Sequence, residues 1–557
     1  MMDMFQNNTD HKSLFCFSYK PNWALQEPSK QRTWFLHLPD AYSNNKENYP
    51  LYSECNVNTD LKHVFDFIKD FERMGIDFES QNCKWKCYSN DKICKTYPDK
   101  FILPKSVSED DIKKCGQYRT KRRFPVVCWI HSTFHSTVSR ASQPKPGIFQ
   151  SSSDSDVAVL KAILHQNACR MVRNPNVYAQ PPKKKTTLQY PVSNSESFHN
   201  FHNISISLAQ NSQLHVSDCR PRPNAEVNRA KGAGYEVSSH YDFISIEFHG
   251  IANIHTMRNS ATALRKVIEQ SYSSKDDSQW FPQIEKTEWL KHIQATLTTA
   301  HKVTLKVING MSVLVHCSDG WDRTAQVCSL TQIMLDPYYR TITGFSYIIQ
   351  KEFILMGHQF NSRTGLMYPK QSLSERSPIF EQFIECVFNL LCKYPSAFEF
   401  TETFLIAILD GLYSNQFGTF LGNCENERKL LQLKHLPSLW IYLHQSENFY
   451  NFLNPLYCPP ISTWKKAEKP KFEVNPAPDI LLSDIDNPFP LRSLQIWTSY
   501  YFRASNPKER QLEETRKNIQ LLNLNFMTLH NQLQNPPVPL KTSPNPPHQS
   551  TLNIPSP

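Results

Sequence analysis

Glycine is scarce in this sequence: 14 residues against 38 prolines, in a chain of 557. That balance disfavours an architecture of tight glycine turns and favours long proline-bearing loops. No apolar run approaches the length of a bilayer-spanning helix. Met1 to Lys12 is polar and lacks the apolar core of a secretory leader. The 15 cysteines are scattered, odd in number and without a paired CxxC…CxxC pattern. A reducing, cytosolic setting is therefore expected rather than a disulfide framework or a zinc cage. Cys83, Cys87 and Cys94 are close enough to suggest a metal, but no second cluster completes a site. His199 and His202 have no evident partners. No metal or cofactor is expected. The formal charge of +10 suits an anionic partner. Nucleic acid and membrane lipid compete for that role, and no helix-turn-helix, RNP or finger pattern supports nucleic acid. With 39% hydrophobic and 20% charged residues, the composition fits a soluble globular core carrying polar insertions.

What is present is concentrated in one stretch. Val313, Leu314 and Val315 run into His316, Cys317, Ser318, Asp319, Gly320, Trp321, Asp322, Arg323 and Thr324, and a helical pattern follows from Ala325 to Leu335. Strand, phosphate-sized loop and helix in that order make an anion site, because a helix N-terminus offers unpaired N–H groups and the positive end of its dipole. A cysteine at the mouth of such a loop is expected to be a nucleophilic thiolate. An arginine at its far end can grip two phosphate oxygens. Cys-x5-Arg alone is weak evidence, and a buried structural cysteine is the competing reading. The strand, the internal glycine and the following helix give the motif its context.

The full loop resembles the signature of the active myotubularins, phosphoinositide 3-phosphatases of the cysteine phosphatase superfamily. The resemblance continues through Ala325–Ser329, Leu335–Thr341, Ser377–Ile379, Glu385–Val387 and Ala397–Phe400. It is strongest toward the subgroup holding the myotubularin-related proteins six, seven and eight, and covers most of residues 11–505. It implies an α/β, cysteine-phosphatase-like twisted sheet flanked by helices. It also implies that Cys317 is the nucleophile, Arg323 the phosphate clamp and Asp322 the general acid, with Asp319 as the alternative. Substrate contacts are implied for Asn228, Asn253, Ile254, Arg363 and the loop residues Ser318, Asp319, Gly320, Trp321, Asp322 and Arg323. Two positions depart from the family pattern. Glu226 stands where a small apolar residue is expected, and Gln359 where a basic one is, which implies a weaker grip on a second phosphate.

The rest of the chain is organised around that core. Residues 1–10 are expected to be a disordered start and 11–505 a phosphatase domain. Ser13–Tyr19 and Thr33–Leu38 read as strands and Asp60–Met74 as a helix. The family's N-terminal PH-GRAM lipid-binding module has no evident counterpart. Lys121 to Arg123 read as a solvated basic edge, Ser139–Pro144 as a polar turn and Asn224–Glu236 as a polar loop after a strand. Residues 170–212 look like a surface insertion and 459–490 like a linker. Arg258–Ser271, Glu285–Asn309, Ile379–Cys392 and Glu402–Leu412 have helical periodicity. Trp289, Leu290, Ile293 and Leu297 mark a face expected to pack on the sheet. Residues 506–534 carry a heptad seam through Leu512, Ile519, Phe526 and Leu533, fit for homo- or hetero-pairing or for docking on the catalytic body. Residues 535–557 should be disordered.

Three functions follow in order. The first is removal of the 3-phosphate from phosphatidylinositol 3-phosphate and its 3,5-bisphosphate, on cytoplasmic faces of endosomal or other membranes. The second is a weakly active or inactive scaffold that pairs with another myotubularin. A phosphoprotein phosphatase is third.

Overall fold

Val313–Cys317 (β7) is buried along its whole length and lies at the heart of a seven-stranded sheet ordered β1-β2-β3-β4-β7-β5-β6. The computed structural model describes residues 65–132, 134–166, 213–237, 239–271, 278–366, 373–458 and 488–503. The strands are Trp85–Ser89 (β1), Lys100–Pro104 (β2), Val126–Ile130 (β3), Thr137–Ser142 (β4), Leu214–Asp218 (β5) and Ile244–Phe248 (β6). β1 to β4 pair antiparallel, whereas β4, β7, β5 and β6 are mutually parallel neighbours. Continuous apolar or small residues suit a parallel strand covered on both faces. Alternation does the rest: Val313 and Val315 join the large core, while Leu314 joins a second cluster with Leu160, Leu164, Leu214 and Val216.

Register then brings distant segments to one place. β7 pairs Cys317 with Ser142 on one side and His316 with Asp218 on the other. The segments leaving β4 and β5 therefore flank the loop that leaves β7. Helices Glu109–Tyr118 (α1) and Asp154–Leu164 (α2) begin at Ser108 and Ser153, whose hydroxyls accept from the backbone N–H groups of Asp111 and Asp156. α2 covers the smaller cluster. On the larger side lie Trp289–Ile308 (α4), packed along Arg323–Leu335 (α5), and beyond them Ile379–Lys393 (α6) and Glu402–Ser414 (α7).

Several local expectations change. Asn224–Glu236 is not wholly loop: Arg222–Ala230 forms a helix, α3. Pro221 and Pro223 preset its first turn, where missing N–H groups cost nothing, and the polar composition hid it. Ser139–Pro144 is not a turn, since Ser139, Arg140, Ala141 and Ser142 complete the buried strand β4. Between β2 and β3 the chain forms α1. Trp289, Ile293 and Leu297 are fully buried, with α5 as the main neighbour of their helix. α5 itself is buried on every side rather than amphipathic. Its two glutamine amide nitrogens are matched internally: Gln326 donates to Ile379 O (3.0 Å) and Gln382 Oε1 (2.8 Å), and Gln332 to Glu352 Oε1 (2.8 Å). The expectations for residues 1–58, for most of the 170–212 insertion and 459–490 linker, and for 506–557 lie outside the described residues.

Candidate active site

Cys317 ends β7 and Arg323 begins α5, so Ser318–Asp322 span the gap between them. Gly320 sits at φ +78°, and a Cβ there would collide with the Ala141 carbonyl. Only glycine lets the loop pass this close to β4. The loop's carbonyls are tied outward. Ser318 O accepts from Gln143 N (3.1 Å), and Gly320 O from Arg140 Nη2 (2.7 Å) and Arg123 Nη2 (3.1 Å). Trp321 O accepts from His358 Nδ1 (2.9 Å). The N–H groups of Ser318–Asp322, by contrast, have no protein acceptor among the described residues. A row of amide donors free of protein acceptors at a helix start can cradle an anion.

The Cys317 sulfur faces that cradle and accepts from Thr324 Oγ1 (3.2 Å). Burial pushes its thiol up, but Arg323 and the hydrogen bonds from Thr324 outweigh this and bring it below the ordinary thiol value. Arg323 is held by Ile251 O (3.1 Å), with Ser318 Oγ 3.5 Å away. Behind the cysteine, both ring nitrogens of His316 face acceptors. Nε2 donates to Glu236 Oε2 (3.0 Å) and Nδ1 to the Cys317 carbonyl (3.2 Å), an arrangement that only the doubly protonated ring satisfies. Burial opposes that charge, yet Glu236 and then Asp218 raise the imidazole above its usual value.

The chain of charges continues. Arg119 Nη1 donates to Glu236 (2.7 Å), its Nε and Nη2 donate to Asp156 (2.7 and 2.8 Å), and Tyr241 OH donates to Asp156 as well (2.8 Å). Arg119, Asp156, Glu236 and His316 are completely buried. Of these residues only His316 lies in the strand–loop–helix stretch; Arg119, Asp156 and Glu236 come from distant segments. Their one legible signal was an arginine and several acids inside otherwise strand-like or helical text.

The two loop aspartates occupy different environments. Asp322 receives Arg363 Nε (3.1 Å) and Nη2 (2.8 Å), with His358 Nδ1 3.2 Å away. Burial favours its neutral form, but Arg363 and His358 prevail and hold the carboxyl well below the usual range. Asp319 has no side-chain hydrogen bond among the described residues. Burial, and then the nearby Asp322 charge, lift it above the ordinary carboxyl value against Lys121 and Arg123. Arg363 is thus engaged by Asp322 and, through Nη1, by Glu375 (3.0 Å).

Of the other anticipated contacts, Asn228 reaches the loop. Asn228 Nδ2 donates to Gln143 Oε1 (3.1 Å) and Ser318 Oγ (3.3 Å). Asn253 caps the helix Ile254–Ser271, its Oδ1 accepting from His255 N (3.0 Å) and Thr256 N (3.1 Å). Ile254 follows it, half-buried. Trp321 lies 5.7 Å from the Arg123 guanidinium. Arg123 departs from the expected solvated edge: it is fully buried and braces the loop, while Lys121 and Arg122 are exposed in left-handed backbone at φ 55° and 60°.

A myotubularin-like phosphatase domain matches residues 41–429. The chain belongs to the myotubularin family. It is 36% identical over 453 residues to myotubularin of Xenopus tropicalis, covering 80% of this chain and 64% of the relative. It is 34% identical over 472 residues to myotubularin of Rattus norvegicus, covering 83% and 67%. It is 35% identical over 452 residues to the phosphatidylinositol-3,5-bisphosphate 3-phosphatase MTMR2 of Mus musculus, covering 81% and 60%. The chain thus spans about two thirds of the length of these curated relatives, with 60% to 67% covered. The myotubularin fold expected from the loop, a cysteine-phosphatase-like α/β sheet, is the one observed.

Within this myotubularin framework the two departures have concrete partners. Glu226 binds Tyr235 OH (2.7 Å) and Arg229 Nη2 (3.0 Å), which neutralise it. Gln359 donates to Gly357 O (2.8 Å) and Asn423 O (3.3 Å), so its amide serves the backbone. Among the described residues, the acidic-and-thiol group that converges is not Cys83, Cys87 and Cys94 but Cys128, Cys328 and Glu352. Glu352 there is already paired with Arg140. No described helix is long and apolar enough to cross a membrane.

Proposed function

We propose that this chain is a cysteine-dependent phosphoinositide 3-phosphatase acting on phosphatidylinositol 3-phosphate and the 3,5-bisphosphate. The observation that carries the reading is the row of amide donors, free of protein acceptors among the described residues, between a lowered thiol and a guanidinium. The Cys317 thiolate attacks the 3-phosphorus in line as the bond to the inositol oxygen breaks. Arg323 and the loop amides stabilise the equatorial oxygens. The departing oxygen takes a proton from a carboxyl group. Asp322 fills that role by family resemblance, but its ion pair with Arg363 favours the charged form, and we assign the proton to Asp319. Water then attacks the phosphocysteine, its proton passes to the Asp319 carboxylate, and the S–P bond breaks to return the thiolate and release phosphate. Ser318 aids expulsion of the thiolate, Trp321 forms the pocket wall, and Asn228, Asn253 and Ile254 meet the inositol ring. Arg363 reaches a further phosphate once it exchanges partners with the ligand. The site of action in this reading is the cytoplasmic face of endosomal or similar membranes, with pairing through residues 506–534. Phosphate release from short-chain phosphatidylinositol 3-phosphate tests it. Equal background release by the native chain and Cys317→Ser would leave only the scaffold role.

A further inference from the structure

Phe149 is 97% exposed and its neighbour Ile148 is 67% exposed. Large apolar side chains presented side by side call for a partner. The turn that carries them is held in place. Ser151 N donates to Pro146 O (2.8 Å), Gly147 N to Ala233 O (3.2 Å), and Tyr118 OH to Ser151 O (2.7 Å). Gly147 and Gln150 lie at φ +62° and +52°. The turn also stands at the pocket rim. Gln143, just before it, donates to Ser318 O (3.1 Å), and Ala233 belongs to the segment after α3, whose Asn228 reaches Ser318 Oγ (3.3 Å). Val227, beside Asn228, is 54% exposed.

Charge selects the partner. Lys145 and Lys231 flank the turn, both exposed and in no ion pair among the described residues. The acids nearby are Glu226, already bound by Arg229 and Tyr235, and Asp154 in the first turn of α2. A protruding apolar tip ringed by free ammonium groups complements the headgroup and upper acyl region of an anionic bilayer.

We propose that Ile148 and Phe149, with Val227, Lys145 and Lys231, seat the catalytic rim on an anionic lipid surface, the aromatic ring entering the interface beside the pocket. The substrate in this picture rests on the phosphatase reading; the bilayer contact does not. The test uses the full chain with vesicles of phosphatidylcholine and phosphatidylserine lacking any phosphoinositide. Phe149→Asp should lower sedimentation with the vesicles about tenfold or more. Lys145→Glu with Lys231→Glu should lower it about tenfold and weaken its salt dependence. Release from short-chain soluble phosphatidylinositol 3-phosphate should be unchanged in Phe149→Asp, while release from vesicles containing that lipid falls. Circular dichroism checks that the exposed substitution leaves the fold intact. Equal vesicle partition of native and Phe149→Asp chains, or no partition of the native chain, overturns the proposal. So does a shift in oligomeric state on light scattering with vesicle binding unchanged, which makes this a self-association face. No release of soluble substrate by the native chain sinks the phosphatase reading instead and leaves the vesicle result to stand alone.

Discussion

The cradle and the charged chain beneath it are built on opposite rules. In the loop, the amide donors of Ser318–Asp322 face no protein acceptor among the described residues, while the carbonyls are spent on Gln143, Arg140, Arg123 and His358. Beneath, Asp156, Arg119, Glu236 and His316 bind one another in sequence and are sealed from water. Donors are left open where an anion is to arrive. Where none arrives, every charge has a counter-charge, because an unpaired buried ion costs several kcal/mol. The contrast separates the groups that act from those that hold them.

The comparison breaks most sharply at the nucleophile. Cys317→Ser should lower phosphate release from short-chain phosphatidylinositol 3-phosphate by about 10⁴-fold or more with the melting temperature nearly unchanged. Arg323→Lys keeps charge but loses the planar fork, and kcat/KM should fall about 10²- to 10³-fold. Exchanging the loop acids sharpens the division further. Asp319→Asn should cost about 10²-fold in kcat and remove the alkaline limb of its pH profile, whereas Asp322→Asn should retain that limb and lower KM for the 3,5-bisphosphate, because Arg363 no longer has to leave Asp322. The reverse pattern would return the proton to Asp322.

Beneath the loop the readout is stability. Glu236→Gln should cost about 3 kcal/mol, measured by denaturant unfolding. His316 titrates above its unfolded value, so its share of the pair is complete below about pH 6.5 and is lost as pH rises through the folded value. Glu236 titrates below its unfolded value, so its share is complete above about pH 4.5 and is lost as pH falls through the folded value. Both dependences should flatten in Glu236→Gln. The smallest effect is expected from Thr324→Ala, where loss of one hydrogen bond to sulfur should shift the pH midpoint of Cys317 alkylation upward by about one unit.

Legibility followed sequence distance. Cys317, Gly320 and Arg323 could be read because one strand–loop–helix unit carries them on adjacent residues, and the helices at Ile379 and Glu402 because their periodicity is strong. Arg222–Ala230 was hidden because prolines and polar residues write a loop and a helix start alike. Arg123 looked like surface because its acceptors, Gly320 O and Met356 O, come from far along the chain.

By itself the sequence determined the strand, the phosphate-sized Cys317–Arg323 loop and the helix after it, since these depend on local spacing, and its resemblance to a known family carried the class of fold. Tertiary structure alone decided which aspartate is locked to an arginine, that His316 lies between Glu236 and the Cys317 carbonyl, and that Arg119 and Glu236 brace a loop remote from them in the chain. Those outcomes depend on burial and on distances between segments, and one-dimensional spacing does not encode the local dielectric that turns a charged side chain into a fixed partner.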